Sequence, residues 1–413
     1  MCGIAGYVAY DGAIDREVLG RMATSLAHRG PDGEGIWQDA ACGLAHRRLS
    51  IIDLAHSTQP MESGAGDAAL VYNGELYNYR ALREELRAAG ATFRTAGDTE
   101  VVLEQLRRSG WEGLRRFDGM FGIAHWDRTR QQLLLARDPL GIKPVFYAEP
   151  RPGMLVFGSE IKAVLCHPAV ARELDLDSLR QVLRFRAVYG AGSLYRGVRQ
   201  LEPGTALLFS REGSRVERFY DLVEETTAAR GRFEGRTPAE RIEAGGALLR
   251  EAVAKRLIAD VPVGVFLSGG IDSSLIAAIV RECRAPHEPT ATFSVGFADD
   301  PGSELGHARS VAEALGTQHT EVAVSEKDYL RSLAELTWVR DAPVSEPADV
   351  AIARMSAVAS ETVKVVLSGE GADEVFCGYP KYGFARLSAW TSPALRWIGA
   401  ERAARWASAV GLD

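Results

Sequence analysis

The sequence predicts two domains, the second an α/β fold with a doubly wound parallel sheet. Three observations carry this. A chain of 413 residues is too long for one ordinary core. After about residue 240, short apolar runs alternate with helical periodicity, the order that builds parallel sheets. Two of those strands run into glycine-rich segments, Ser268-Gly269-Gly270 and Ser368-Gly369-Glu370-Gly371, at the carboxyl ends where such sheets bind ligands.

Composition narrows the function class. At 46% hydrophobic there is ample material for cores, and a formal net charge of −7 argues against general nucleic-acid binding. No apolar stretch reaches membrane-spanning length and no secretion signal opens the chain, which predicts a soluble cytoplasmic protein. Its five cysteines are odd in number, scattered and without C-x-x-C spacing, so neither a disulfide framework nor a zinc site is indicated. Cys42, Cys166 and Cys283 read as buried small hydrophobes, Cys377 sits beside a motif, and Cys2 stands apart.

In chain order, Met1-Cys2-Gly3 places a thiol one residue from the start, behind a side chain small enough to permit removal of the initiator Met. Cys2 would then carry a free α-amine, pKa near ~8, able to act as base for its own thiol. His28-Arg29-Gly30-Pro31-Asp32-Gly33 is a turn-rich loop. His46-Arg47-Arg48 puts a fixed cation on a strand. In Val71-Tyr72-Asn73-Gly74-Glu75, an Asn amide next to a Gly N–H offers the two donors of an oxyanion hole; the same pair could be a hairpin turn. Gly97-Asp98-Thr99-Glu100 opens an amphipathic helix closed by Gly110, and Asp98 reads equally as a plain N-cap. Arg48 could be a solvated surface charge. Short strands are signalled over 121–126, 131–137, 145–148 and 154–157, and residues 165–210 read as connecting helix and hairpin.

The stretch 224–240 is polar and reads as an exposed linker. A helix over 242–258 leads to the strand Val265–Leu267, and Ile271, Leu275 and Ile279 recur at helical spacing after it. The double glycine between them removes two Cβ atoms where backbone N–H groups can converge on phosphate oxygens at a helix N-terminus. The Lys-Ser/Thr ending of the γ-transferring nucleotide loop is missing. A second strand covers 291–296, a helix from Glu304 stops at Gly316, and a third strand covers 363–367. Asp272 and Asp373, at two strand ends, could share Mg²⁺, and Glu370 could accept a proton.

Cys2-Gly-Ile, H-R-G-P-D-G, R-L-S-I-I-D, N-G-E and G-D-T-E resemble, in that order, the glutaminase domain of class II glutamine amidotransferases. The likeness continues through Arg116–Phe121, Ala136–Pro144 and Gly158–Lys162. It implies an α+β N-terminal-nucleophile sandwich, layered αββα. By the family's pattern Cys2 attacks the glutamine amide, Asn73 and Gly74 stabilise the oxyanion, Arg48 holds the α-carboxylate, and Glu75 and Asp98 take the α-amine. Leu49, Ser50, Ile51 and Ile52 complete the glutamine contacts. S-G-G-I-D-S-S resembles the pyrophosphate loop of ATP pyrophosphatases, and together with S-G-E-G-A-D-E-V-F it resembles the synthetase domain of asparagine synthetases. That implies ATP contacts from Leu267, Ser268, Gly269, Gly270, Asp272, Ser273, Val295, Ser368 and Gly369, Mg²⁺ on Asp272 and Asp373, and catalysis by Glu370.

These resemblances divide the chain into a glutaminase domain (2–210), a linker (211–240) and a synthetase-like domain (241–413). They imply an enzyme taking glutamine, aspartate and ATP, with neither nucleic acid nor membrane as partner, and leave room for a homodimer. Two departures stand out. Cys377 replaces the usual small residue after V-F, which would crowd the loop. The chain stops at Asp413, where family members continue into helices with a Lys serving adenylation; Trp390, Trp397 and Trp406 would cover those helices, and Lys381 reads as a solvated charge. A shortened synthetase leaves glutaminase alone, or amidation of another carboxylate, as alternatives. A glutaminase feeding a phosphoribosyl or sugar-phosphate domain is disfavoured by the pyrophosphate loop.

Overall fold

A computed structural model describes residues 1–285, 287–297, 303–383 and 385. The chain begins with β1 (Gly3–Ala9), α1 (Arg16–Ser25), β2 (Gly33–Gln38), β3 (Cys42–Arg48), β4 (Met61–Glu62) and β5 (Ala68–Leu76). Then come α2 (Tyr79–Ala88), α3 (Asp98–Ser109), β6 (Gly119–Asp127), β7 (Gln132–Arg137), β8 (Phe146–Arg151), β9 (Met154–Gly158), α4 (Ile161–Leu165) and α5 (Leu176–Phe185). The hairpin strands β10 (Val198–Gln200), β11 (Thr205–Ser210) and β12 (Gly213–Arg218) follow.

These strands make two antiparallel six-stranded sheets, ordered β10-β8-β9-β1-β3-β2 and β12-β11-β7-β6-β5-β4. β1 shows why the sheets stack. Successive side chains point to opposite faces, and here both faces are apolar: Ala5, Tyr7 and Ala9 pack with Leu19 and Met22 of α1, while Ile4 and Val8 pack with Val71, Trp126 and Phe157 between the sheets. The outer face of the second sheet is covered by α2 and α3 through Leu82, Leu86, Val102 and Leu106. The result is the αββα sandwich implied by the resemblance. Cys2 lies immediately before β1, an inner strand of its sheet.

The stretch 211–240 is less irregular than its composition suggests. β12 pairs with β11 across a tight turn at Gly213, and α6 (Leu222–Arg230) is capped by Asp221. Both elements lie exposed, as the polarity of 224–240 predicts, and on such surfaces no apolar stripe is required to mark a helix or strand.

After α7 (Pro238–Arg256), which opens on a Thr237–Glu240 capping box, come β13 (Val263–Phe266), α8 (Ile271–Cys283), β14 (Ala291–Phe297), α9 (Leu305–Leu315), β15 (Gln318–Val324), α10 (Glu326–Arg340), α11 (Ala348–Ala359), β16 (Val365–Leu367) and α12 (Ala372–Phe376). The sheet runs β15-β14-β13-β16, with β13 and β14 parallel. Gly316 closes α9 in the left-handed region at φ 64°. The chain forms two compact units: residues 1–263, 295–297 and 322–365 lie in the first, and 264–294, 303–321 and the described residues from 366 in the second. Trp390, Trp397 and Trp406 lie outside the described residues. No helix among the described residues is long and apolar enough to cross a membrane.

Candidate active site

Cys2 is held by the strand end opposite it. Its Sγ accepts from Leu49 N–H at 3.3 Å and donates to the Leu49 carbonyl at 3.6 Å, and its own carbonyl accepts from Arg29 Nε at 2.9 Å. Burial pushes the thiol's pKa up, while the Leu49 N–H, the N-terminal amine, Arg48 and Lys143 pull it back. Met1 still precedes Cys2, so that amine is Met1's; desolvation, with help from Arg29 and Lys143, lowers it to about 6. The amine also feels Cys2 and Glu75, which places all these groups in one electrostatic neighbourhood.

Asn73 and Gly74 lie inside β5, opposite Gly122 and Phe121 of β6, and so are not a hairpin turn. The Asn73 Nδ2 is buried and has no hydrogen-bond partner among the described residues. A buried donor without a partner costs about 1–3 kcal/mol, and such a group is positioned for something that arrives. A Cβ on Gly74 would stand 2.3 Å from the Met120 carbonyl and 2.5 Å from the Tyr72 ring, so only glycine fits. Glu75 is buried, yet among the described residues its carboxylate makes no hydrogen bond. Burial raises its pKa to about 7, Lys143 opposing first and Asp98 adding to the rise. Asp98 begins α3, with Gly97 as N-cap; its Oδ2 accepts from Tyr72 Oη and Leu76 N–H, both at 3.0 Å, and burial raises its pKa.

Arg48 is neither a surface charge nor a bare cation. Its guanidinium donates to the carbonyls of Leu54 (2.9 Å), Asp53 (2.7 Å) and Ile52 (3.4 Å). It thus folds the Leu49–Ile52 segment back, and Asp53 carries the link on by accepting from Ala96 and Gly97 N–H at 2.8 and 3.2 Å. Ser50 N–H donates to Asp32 of the turn-rich loop at 2.8 Å, and the Ile51 carbonyl accepts from Asp260 N–H at 2.9 Å. The first-half motifs are therefore bonded to one another, in a way that spacing alone did not reveal.

In the second unit, Leu267 ends its strand by donating to Phe293 at 2.8 Å. Gly269 follows at φ 81°, and a Cβ there would stand 2.5 Å from Ala308 N. Ser268 Oγ accepts from Gly270 N–H at 3.2 Å and meets Ser273 Oγ at 2.9 Å, cinching the loop onto the start of α8, whose N-cap is Gly270. The second motif closes on this one. A Cβ on Gly369 would lie 2.7 Å from Ser273 N and 3.1 Å from Asp272 Cβ. Ser268 and Glu370 are exposed and Asp272 is half-buried; Val295, also half-buried, belongs to the first unit. Asp373 lies on α12, where a Cβ on Gly378 would strike its Oδ1 at 2.0 Å. Among the described residues no group of three or more His, Cys, Asp and Glu could hold a metal ion; Mg²⁺ commonly takes only one or two carboxylates, with phosphate and water completing the shell.

Comparison with known proteins accords with both halves. Residues 1–220 match the glutamine amidotransferase domain family, and residues 245–411 match the asparagine synthase family. The chain belongs to the glutamine-hydrolysing asparagine synthetases. Asparagine synthetases 3 and 1 of Bacillus subtilis are 34% and 35% identical over 397 and 391 residues, each over 92% of this chain and 63% and 59% of their own lengths. A Methanocaldococcus jannaschii protein provisionally given the same name is 31% identical over 400 residues, 92% of this chain and 76% of its own. The chain spans 61% of the length of a 39% identical relative in Mycobacterium tuberculosis.

One buried charged cluster of the first unit was not recognised from sequence. Glu160 accepts from His28 at 3.0 Å and Arg29 at 2.8 Å and pairs with Lys162, which also meets Asp341 at 3.2 Å. These partners hold the Glu160 carboxyl at about 2 despite its burial. The hints were the H-R-G-P-D-G and G-S-E-I-K resemblances, which did not show that the two motifs meet. Two cysteines depart from expectation: Cys283, last in α8, is exposed, and Cys166 is half-buried. Cys166, at the C-cap of α4, still packs against the core of the first sheet, whereas Cys283 lies on an exposed face of α8. Cys377 sits at φ 58°, in the left-handed region that favours glycine. Lys381 lies exposed over the Tyr379 ring at 4.1 Å.

Proposed function

We propose that the chain is the glutaminase and the ATP-pyrophosphatase portion of an enzyme that makes asparagine from aspartate, glutamine and ATP in the cytoplasm. The observation that carries the reading is the buried, unpartnered Asn73 Nδ2 next to Gly74, in the unit that holds Cys2. After loss of Met1, the Cys2 amine takes the thiol proton and the sulfur attacks the glutamine side-chain amide. The tetrahedral oxyanion accepts from Asn73 Nδ2 and Gly74 N–H. The C–N bond breaks, a proton goes to the departing nitrogen, and ammonia leaves; water then cleaves the thioester to glutamate. Glu75 and Asp98 receive the substrate ammonium, and Arg48, with Leu49–Ile52, the carboxylate end.

In the synthetase half, the Ser268–Gly270 loop and Ser368–Gly369 would cradle ATP between Leu267, Ser273 and Val295. The aspartate side-chain carboxylate attacks the α-phosphorus, and pyrophosphate leaves. Asp272 and Asp373 would hold Mg²⁺, which when bound screens the pyrophosphate charge. Ammonia then attacks the activated carbonyl, AMP leaves, and Glu370 takes the proton. We assign 2–210 to the glutaminase and 241 onward to the synthetase, with 211–240 joining them, and homodimerisation is part of the reading.

Glutamine hydrolysis and aspartate-dependent pyrophosphate release, measured side by side, test this. Cys2→Ala should abolish the first. Hydrolysis that survived the substitution would overturn the glutaminase reading; orthophosphate and ADP in place of pyrophosphate and AMP would overturn the second. Hydrolysis without any pyrophosphate would favour a glutaminase acting alone.

A further inference from the structure

Lys143 lies in the loop joining β7 to β8, and its placement is tightly fixed. Its N–H donates to Asp138 Oδ2 at 2.8 Å, and its carbonyl accepts from Arg137 Nε at 3.1 Å. A Cβ on Gly122 would lie 3.7 Å from the Lys143 Cβ, and Gly122 is the register partner of Asn73. The side chain therefore starts over the rung of the sheet that carries Asn73. It is only 6% exposed. Among the described residues its ammonium makes neither a hydrogen bond nor an ion pair.

An unpaired buried ammonium is costly, so its surroundings must compensate it. The groups that face it are Glu75 on β5, Asp138 after β7, Cys2 before β1 and Arg29 after α1. Burial lowers the ammonium's pKa, and Glu75 is the strongest influence raising it back. The relation is reciprocal. Of the groups around Glu75, which include Asp98 at the start of α3, Arg256 on α7 and the N-terminal amine, Lys143 is the strongest that favours its ionised form. Yet Lys143 does not touch the carboxylate, whose oxygens stay open to a ligand.

The geometry points to Lys143 as a positioning residue of the glutamine site, acting through Glu75: it holds that carboxylate in the charged form that receives the α-ammonium of glutamine, without occupying its oxygens. This rests on the glutaminase reading above. An ammonium in hydrogen-bond contact with Glu75 would compete with the substrate; one acting through space does not.

The test is kcat and KM for glutamine across pH, in the full chain, for wild type, Lys143→Met and Lys143→Arg. Lys143→Met should raise KM at neutral pH by a larger factor than it changes kcat, and KM should fall back toward wild type as rising pH ionises Glu75. Lys143→Arg should keep the wild-type profile. In a Glu75→Gln background, Lys143→Met should change KM no further, since the group it acts through is gone. A KM–pH profile superimposable on wild type, or additive effects of the two substitutions, would overturn the assignment. Should Lys143→Met fail to fold, Lys143→Met/Glu75→Gln, which removes both charges, is compared with Glu75→Gln: equal KM at every pH supports the role and a further rise overturns it. Absence of glutamine hydrolysis in the wild type, or its persistence in Cys2→Ala, overturns the glutaminase reading itself and is seen before any Lys143 variant is made.

Discussion

At the scale of single residues, two groups of the candidate site, Asn73 Nδ2 and the Glu75 carboxylate, make no hydrogen bond among the described residues. Asn73 is the clearest. Its Nδ2 has no partner among the described residues, so Asn73→Ala breaks no hydrogen bond seen at that atom and should leave the fold largely intact. It should instead lower kcat for glutamine hydrolysis by about 10²–10³, the cost of one oxyanion donor, roughly 2.7–4 kcal/mol. An unchanged kcat would remove Asn73 from the oxyanion hole. Glu75 makes the complementary case for charge. Its folded pKa, about 7, lies above its ordinary 4.5, so the fold binds that proton more tightly than the unfolded chain does. The stabilisation is fully present below 4.5 and is lost as pH rises through about 7. Denaturant midpoints across that window should fall with pH in wild type, and the Glu75 contribution to the slope should vanish in Glu75→Gln. An identical slope in the variant would mean that Glu75 titrates as it does in water.

At the scale of elements, loops share the positioning with strand β5, and the 138–143 turn shows how. Asp138 is buried and accepts backbone N–H groups from Phe121 (3.2 Å), Leu140 (3.1 Å), Ile142 (2.9 Å) and Lys143 (2.8 Å). Hydrogen bonds to a charged group contribute about 1.5–3 kcal/mol each, though not additively. Asp138→Ala should therefore destabilise the protein by more than about 3 kcal/mol in urea titration, and Asp138→Asn, which keeps an acceptor, by less; equal stability of Asp138→Ala and wild type would deny the turn this anchor. The strands and helices flanking such loops were largely legible. β6, β7, β9, β14 and α9 fall within a few residues of their apolar runs, because burial on at least one face leaves a pattern. β12, α6, β15 and α10 were not, and the reason is physical: the first two are exposed and polar, β15 shows only Val322 and Val324 to a core, and α10 has no buried residue. Glycines were legible as punctuation, but what each one admits was not. Gly74 admits the Met120 carbonyl, which lies on the paired strand β6 and is distant in sequence, and the ring of Tyr72, two residues back on its own strand. The role of Arg48 depended on the loop turning back through Asp53 at φ 47°, a conformation that no residue type in R-L-S-I-I-D announces.

At the scale of the whole molecule, the two motif sets sort into separate compact units: Cys2, Arg48, Asn73, Glu75 and Asp98 in the first, and Ser268–Ser273 with Ser368–Asp373 in the second. The first unit also recruits residues 322–365, so the ion pair of Lys162 with Asp341 spans 179 positions of sequence. Such pairings lie beyond any local pattern. The sorting makes a separation experiment informative. Gly269 sits at φ 81°, and an added Cβ would meet Ala308 N at 2.5 Å and His307 C at 2.6 Å, both backbone atoms that cannot swing aside. Gly269→Ala must therefore displace the loop from α9, and Mg²⁺–ATP binding measured by calorimetry should be lost. Alkylation of Cys2, whose hydrogen-bond partners Leu49 and Arg29 all lie in the first unit, should proceed at the wild-type rate and with the wild-type pH dependence. ATP bound as tightly by Gly269→Ala as by wild type would take the nucleotide away from this loop. Loss of Cys2 reactivity alongside the loss of ATP would mean that the second unit governs the first.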